Sequence, residues 1–480
     1  MVLTQGLLPF NLELVDSPEL VTSFAAIPLV VETLRAVLHP GRCRALRDAL
    51  GYRDWKVVRR HVESVVVLIA AGGEHISDLD RLRADRGLEK LLGGPLSSPT
   101  QIKDFVYRFH QAADGRLLTP EDDAALSVKG VAQIRPEGPG LEALERMVLD
   151  LIEAHAQLRP LKTATLDVDA TILAACKAQA LMAYEGTVGY QPQMAWLAEA
   201  RIWVCDEFRD GNVPAAFQVK AFLERAFAHL PGGLETRRLR ADSALYDEEA
   251  LTWADDQGIE FAVSADMSKA LVAKVAAIQE HEWKPYKSHS PTASKTEERQ
   301  WAEVLDFIPG WSRNQKKNGE ALRYIAIRVR SRQKDLFEAE AATWRHFAVV
   351  TNMDWQGDRL LNWHREKQGT VEQAHGILKN DLGGGVMPTG KFGANAAWWR
   401  LNVLVHNLLE LLKVSALPAE LADARPKTLR FQLLTLPGRI VSHARTWILK
   451  LSSGFPLAGA FATARERLVQ LADLLHPAPA

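Results

Sequence analysis

The sequence predicts an α/β fold: a mixed sheet interrupted by a β-rich insertion and flanked by helical regions at both ends. Three observations predict it. Apolar residues recur at three-and-four spacing up to about residue 160. From Thr163 to Ile278, strand-like and helix-like stretches alternate. Helical spacing returns from Ala396 onward. The 480 residues, 47% hydrophobic and 24% charged, match globular usage and exclude wholesale disorder. At roughly 100–200 residues per domain, that length suggests two to four domains.

The elements follow in order. Leu29–Leu38 and Trp55–Ala71 carry helical periodicity, and Gly72-Gly73 stops the second run. Ser98-Pro99-Thr100-Gln101 is a helix start: Ser98 caps, Pro99 suits the first turn, and Gln101 reaches back. Lys103, Tyr107, Arg108 and His110 follow on that helix, the composition of a short helix–turn–helix DNA reader or of a solvated helix. Leu141–Leu158 is a connector helix. Thr163–Leu173 alternates polar and apolar residues as a strand, followed by strands at Leu181–Ala200 and Arg201–Phe208 and a helix at Pro214–His229. Strands at Leu239–Asp242 and Ile259–Ala265 alternate with helices at Asp247–Gln257 and Lys269–Ile278. The polar stretch 280–338 contains strand-like Trp301–Phe307 and Ala321–Arg330. Arg345–Met353 is a buried strand, and Asp358–Asp381 one long helix ended by Gly383–Gly385. Ala396–Lys413, Phe431–Leu449 and Ala460–Leu475 are helical. The domain reading is therefore a helical unit at 1–160, a core in two parts at 161–279 and 345–400, a β-rich insertion at 280–344, and a C-terminal helical region at 401–480.

Composition removes several function classes. Cys43, Cys176 and Cys205 stand far apart without a CxxC pair, which argues against a disulfide scaffold and a cysteine-based zinc site. No apolar run is long enough to span a bilayer, and the acidic N-terminal stretch is no signal peptide, so a soluble, cytoplasmic protein with no membrane partner is expected. Neither GxxxxGK[ST] nor GxGxxG occurs, so ATP and NAD have no support. The formal net charge is −1, yet charge is unevenly placed. Between Pro309 and Lys334, eight basic residues (Arg313, Lys316, Lys317, Arg323, Arg328, Arg330, Arg332, Lys334) face one acid, Glu320. Arg328, Arg330 and Arg332 alternate along a strand and share a face that can track phosphates. Trp398-Trp399 at a helix start reads as core rather than as a base-stacking platform.

Three acids stand out. Asp169 lies in the first strand of the α/β stretch, Asp242 at the end of a strand, and Glu372 within a helix. A carboxylate in an apolar strand costs free energy if ionised and unpaired, and a bound divalent cation offsets that cost. Carboxylates are ligands that Mg²⁺ prefers, and two ions roughly 4 Å apart suit in-line phosphoryl displacement. Arg365, Gln368, Glu372, His375 and Lys379 recur at three-and-four spacing and share one helix face. That face reads as metal plus phosphate ligands, or as a solvated, salt-bridged surface. Asp167, on the same strand face as Asp169, is a rival ligand.

The strings Thr165-Leu166-Asp167-Val168-Asp169-Ala170-Thr171, Arg240-Ala241-Asp242-Ser243-Ala244, Val349-Val350-Thr351-Asn352 and His364-Arg365-Glu366-Lys367-Gln368-Gly369-Thr370-Val371-Glu372-Gln373, with Lys379-Asn380-Asp381, occur in this order. Together they resemble the DDE insertion-sequence transposases, and within them the bacterial cut-and-paste group with an RNase H-like core and a β-rich insertion before the last acid. The resemblance is strongest over about residues 160–410. It implies an RNase H-like mixed sheet and makes Asp169, Asp242 and Glu372 the catalytic, metal-binding triad. The metal would be two Mg²⁺, with Mn²⁺ able to substitute. Lys379 falls on the family's Lys after the Glu. Two departures, His364 where Tyr is common and Gln368 where a second Arg is common, bear on the phosphate contacts. The DNA-binding residues expected are Arg365, Lys379, Arg328, Arg330 and Arg332. The resemblance implies cleavage and strand transfer on double-stranded DNA, namely terminal inverted repeats read by the N-terminal domain and a target. It also implies a homodimer on DNA and a bacterial, nucleoid-associated location. The alternatives are a metal-dependent nuclease of the same fold without joining activity, and a domesticated DNA-binding protein without catalysis.

Overall fold

The computed structural model describes residues 19–128, 130–289, 297–310, 322–331 and 344–477, and two short backbone stretches nearer the N-terminus. The architecture is mixed α/β. Its centre is a nine-stranded sheet: β1 (Thr163–Ala170), β2 (Gln193–Leu197), β3 (Ile202–Glu207), β4 (Thr236–Ala241), β5 (Glu260–Ser264), β6 (Lys284–Pro285), β7 (Glu297–Val304), β8 (Arg323–Ser331) and β9 (Arg345–Thr351). The spatial order is β6-β7-β8-β9-β5-β4-β1-β2-β3. β1, β4 and β5 run parallel, and every other neighbouring pair is antiparallel. An antiparallel β1–β2–β3 meander followed by two parallel strands on the far side of β1 is the RNase H-like arrangement. β1, β2, β3 and β5 are buried at consecutive positions, so both of their faces are covered.

The helical part is α1 (Ile27–Val37), α2 (Pro40–Leu50), α3 (Trp55–Ala71), α4 (Pro99–Tyr107) and α5 (Pro139–Leu158), with shorter turns between. Asp54 caps α3 through the Lys56 N–H at 2.9 Å, and Gly72, at φ 94°, ends it. The capping box read at Ser98 is present: the Ser98 N–H donates to Gln101 Oε1 and the Gln101 N–H to Ser98 Oγ. α6 (Val219–Ala228) lies between β3 and β4 in the chain, α7 (Glu248–Asp256) joins the parallel β4 and β5, and α8 (Lys269–Ala276) follows β5. α9 (Gly357–Arg365) and α10 (Lys367–Asn380) follow β9, then α11 (Phe392–Ser415) and α12 (Ala458–Leu475). α11 is buried almost end to end and packs against α1, α3, α4, α5 and β3, so it joins the N-terminal helices to the sheet. Trp398 and Trp399 are fully buried on it, as core.

The structure departs from the sequence reading in four places. Leu181–Ala200 is not one strand: Leu181–Met182 and Val188–Tyr190 form a small hairpin turning at Gly186 (φ 79°), and only Gln193–Leu197 enters the main sheet. β6, β7 and β8 form no separate β unit but extend the main sheet through β9. The long helix 358–381 is two helices, interrupted at Glu366, where the Gly369 N–H bonds back three residues to the Glu366 carbonyl. Phe431–Leu449 is helical only at its start, where the turn Arg430–Leu434 continues a short helix. Gly438–His443 (β10) and Thr446–Lys450 (β11) form a hairpin whose turn residues, Ala444 and Arg445, take φ of 48° and 65°. Leu20–Thr22 adds a third strand to it. Pro437-Gly438 breaks the helix there, and the β-branched alternation after it favours strands. Among the described residues, no helix is long and apolar enough to cross a membrane.

Candidate active site

Register places the first two acids. β4 pairs with β1 so that Arg240 lies opposite Asp167 and Ala241 opposite Val168. One step further, at the carboxyl ends of the two strands, Asp242 and Asp169 lie side by side, and neighbouring strands are roughly 4.8 Å apart. Both acids line one cleft of about 750 Å³, with Thr171, Tyr184, Asp266 and Lys379 among its walls. Asp242 caps the turn after β4, accepting the Ala244 N–H at 3.0 Å. Glu372, exposed on α10, lies close enough to act on Asp169 electrostatically.

Asp169 shows the cost of the arrangement. Burial pushes its carboxyl up to about 6; Asp242 and Glu372 push the same way, while Lys367 and the Ala170 N–H pull it down. Lys367, buried at the start of α10, holds its Nζ 3.7 Å from Asp169 Oδ2. Between about pH 4 and pH 6 the folded chain keeps a proton on Asp169 that an unfolded chain releases. Stability therefore falls as pH rises through that window and stays lower above it. Asp169→Asn is expected to stabilise the metal-free protein by about 1–3 kcal/mol at pH 7.5. Thermal melts at pH 7.5 and pH 4.5 check this, since the gain should largely vanish at the lower pH. Equal midpoints for the variant and the native chain at pH 7.5 would contradict it.

A second set of charges holds the acids in place. Asp167 is completely buried and bridged twice by Arg240, Nε to Oδ1 at 2.6 Å and Nη2 to Oδ2 at 3.0 Å. Thr370 Oγ1 donates to the same carboxylate from α10. Arg240 Nη1 also reaches the Trp363 carbonyl and Glu366 Oε2, each at 2.7 Å. β1, β4 and the α9–α10 junction are thus tied by one guanidinium. Both Asp167 oxygens are engaged in these bonds, whereas Asp169 lines the cleft. His364 donates from Nε2 to the Ala241 carbonyl at 3.0 Å, just ahead of Asp242, and burial lowers its pKa to about 4, so it is neutral there.

The residues expected on one helix face separate. Lys379 reaches the cleft: its Nζ donates to Thr171 Oγ1 at 3.0 Å, and Asp169 and Glu185 act on it. Arg365, the last residue of α9, turns instead toward Tyr286 and Arg299 beside β7. His375 is buried against Trp203, with burial holding its pKa near 3. The basic strand face is also largely engaged. Arg328 is only 5% exposed, stacks between Trp283 and Trp344, and pairs with Glu280 and Gln300. Arg330 pairs with Glu298 but remains 42% exposed. Arg332, Arg313, Lys316, Lys317 and Lys334 lie outside the described residues. Arg108 donates to the Leu50 carbonyl, and His110 is buried against Asp123; Lys103 extends over Tyr107.

Asp169 and Asp242 on the cleft, with Glu372 close enough to act on Asp169, offer oxygen donors that fit a hard divalent cation. Their mutual repulsion at Asp169 is the charge that such an ion would neutralise. They have not closed to chelating distance: among the described residues, the only three metal-ligating side chains whose ligand atoms lie within 4.8 Å of one another are Glu145, Cys205 and His229. Sequence reasoning missed Arg240, Lys367 and Thr370. An Arg and an Asp facing each other inside apolar strands were the available signal for the first.

The family described as transposase DDE domain group 1 matches residues 43–473. Among solved structures, the chain is similar to a piggyBac transposase in a synaptic complex with hairpin DNA. The identity is 8%, the TM-score 0.48, and the match covers 94% of this chain and 82% of that one. No curated protein matches.

Proposed function

Since the chain belongs to the DDE-domain transposases, we propose that it cleaves the ends of its element and joins them to target DNA, with Asp169, Asp242 and Glu372 as metal ligands. The observation that supports this reading is the placing of Asp169 and Asp242 on one cleft, with Glu372 of α10 near enough to add to the burial that pushes Asp169 up to about 6. Two Mg²⁺, or Mn²⁺, held by these acids would lower the pKa of an attacking water or DNA 3′-hydroxyl and neutralise the leaving oxygen. The chain's own groups do the rest. Lys367 favours the ionised form of Asp169. The Ala244 N–H and His364 fix the end of β4 and the aim of Asp242. No nucleophilic side chain is required, because water and then the DNA end attack phosphorus. The N-terminal helical region would bind the terminal repeats, and joining of two ends would require a homodimer on DNA. Such a protein would work in the bacterial cytoplasm at the nucleoid. The test is excision and strand transfer from a plasmid carrying the coding sequence with its flanking DNA, with and without Mg²⁺. Joined products support the reading; cut ends that never join would indicate a nuclease, and no cutting a binding protein.

Lys379 would contact a phosphate beside the cleaved bond. It is a flexible point charge, suited to neutralising phosphate rather than reading a base, and in the free protein it is parked on Thr171. Lys379→Ala is expected to slow cleavage or joining about ten- to hundredfold while shifting the melting midpoint little. The competing role is complementing the C-terminus of α10, a contribution of about 0.3–1 kcal/mol. A variant that melts earlier yet cleaves normally would establish that role instead.

A further inference from the structure

Away from the cleft, the structure brings together three side chains of a different chemistry. Glu145 comes from α5, Cys205 from β3 and His229 from the end of α6. Their ligand atoms lie within 4.8 Å of one another, with His229 Nε2 3.9 Å from Glu145 Oε1. We infer that Glu145, Cys205 and His229 form a second metal site, separate from the three acids, for a borderline-soft divalent cation such as Zn²⁺.

Three observations support this assignment. First, His229 is already oriented. Its Nδ1 donates to the Val204 carbonyl at 2.8 Å, which leaves the Nε2 lone pair facing the cluster. Metal-bound histidines are commonly held in this way. Second, Glu145 Oε1 is buried with no hydrogen-bond partner among the described residues. Third, the surrounding charge does not balance. Glu137, Glu145, Asp206 and Glu207 face Arg209, Arg225 and Arg400, which leaves one carboxylate in excess. A dication together with loss of the Cys205 proton brings that sum to zero. A sulfur–nitrogen–oxygen donor set suits Zn²⁺ and disfavours Mg²⁺. Arg225 Nε, 3.3 Å from Cys205 Sγ, would support the thiolate from outside the ligand set.

The site would act as a staple, because its ligands join an N-terminal helix, the edge strand of the main sheet and the helix packed beside it. Binding releases the thiol proton to solvent, so affinity falls as pH is lowered. The competing account is that the excess charge is removed by a proton on Glu145, which burial favours.

Metal-free full-length protein titrated with Co²⁺ distinguishes the two. Excess Mg²⁺ is present throughout to occupy the acids of the cleft. One equivalent of Co²⁺ is expected to give a thiolate-to-cobalt charge-transfer band that Zn²⁺ displaces. The band should vanish in Cys205→Ser and persist in Asp169→Asn. His229→Gln, at a partly exposed position, keeps the test available if Cys205→Ser does not fold; it should weaken Co²⁺ binding at least about tenfold. Zn²⁺ should also raise the melting midpoint of the native chain more than that of His229→Gln. Absence of the band in the native protein, or its survival in Cys205→Ser, would overturn the assignment and leave a protonated Glu145 as the account of the cluster.

Discussion

Asp169→Ala, Asp242→Ala and Glu372→Ala are each expected to lower DNA cleavage by on the order of a thousandfold or more, with end binding changed little. The size of the effect follows from the geometry. The two aspartates stand at adjacent strand ends, one residue beyond the last β1–β4 pair. Glu372 approaches from a helix that contributes no neighbouring carboxylate in its place. Losing any one of them leaves an incomplete ligand set around the same cleft, so the three losses should not add. The variants should remain folded, because the ionised Asp169 is itself destabilising in the metal-free chain. Band-shift binding beside cleavage on the same DNA separates a lost active site from a lost fold. Normal cleavage by any one variant would remove that residue from the set.

Arg240→Ala carries the largest expected effect on stability, about 3–5 kcal/mol. It would strip two of the three hydrogen bonds from Asp167, a carboxylate with no exposure, and remove the guanidinium that ties the α9–α10 junction to β4. Most of the cost is the buried charge left behind rather than the worth of the pair. The double variant Arg240→Met with Asp167→Leu should therefore recover much of the loss. It should not recover activity, since the tie that sets the Glu372 helix against the two aspartate strands would still be gone. Chemical denaturation of the three variants checks the first point, and cleavage by the double variant the second. A cost below about 1 kcal/mol for Arg240→Ala would mean that the junction is held by other contacts.

What could be read from the sequence divides along physical lines. The alternation of Thr163–Ala170 and the compact Ile259–Ala265 run specify strands by local pattern, and both lie in the sheet. The boxed cap at Ser98 and the glycine stop after Ala71 are local too, and both are present. Elements set by distant partners were less legible. β10 and β11 had helix-compatible apolar spacing and become strands where Leu20–Thr22 supplies an edge from the other end of the chain. β7 and β8 read as a separate insertion because sequence does not reveal that β9 offers them an edge of the main sheet. Among the charged residues, spacing placed Arg365 with Lys379, but the interruption at Glu366 turns Arg365 toward Tyr286. Alternation put Arg328 on a basic face, and nothing local to it announces Trp283, Trp344 or Glu280. Counting cysteines likewise could not foresee a mixed cluster drawn from α5, β3 and the end of α6.

The central claim is that Asp169, Asp242 and Glu372 hold divalent cations together. Iron-mediated cleavage of the protein's own backbone tests it without any DNA. Full-length protein loaded with Fe²⁺ in place of Mg²⁺ and treated with ascorbate and peroxide generates radicals that cut the chain close to the bound ion. The account predicts cuts beside all three residues, in β1, at the end of β4 and in α10, suppressed together by excess Mg²⁺ and lost together in Asp169→Ala. Cuts confined to one of these elements, or cuts that excess Mg²⁺ leaves unchanged, would contradict it.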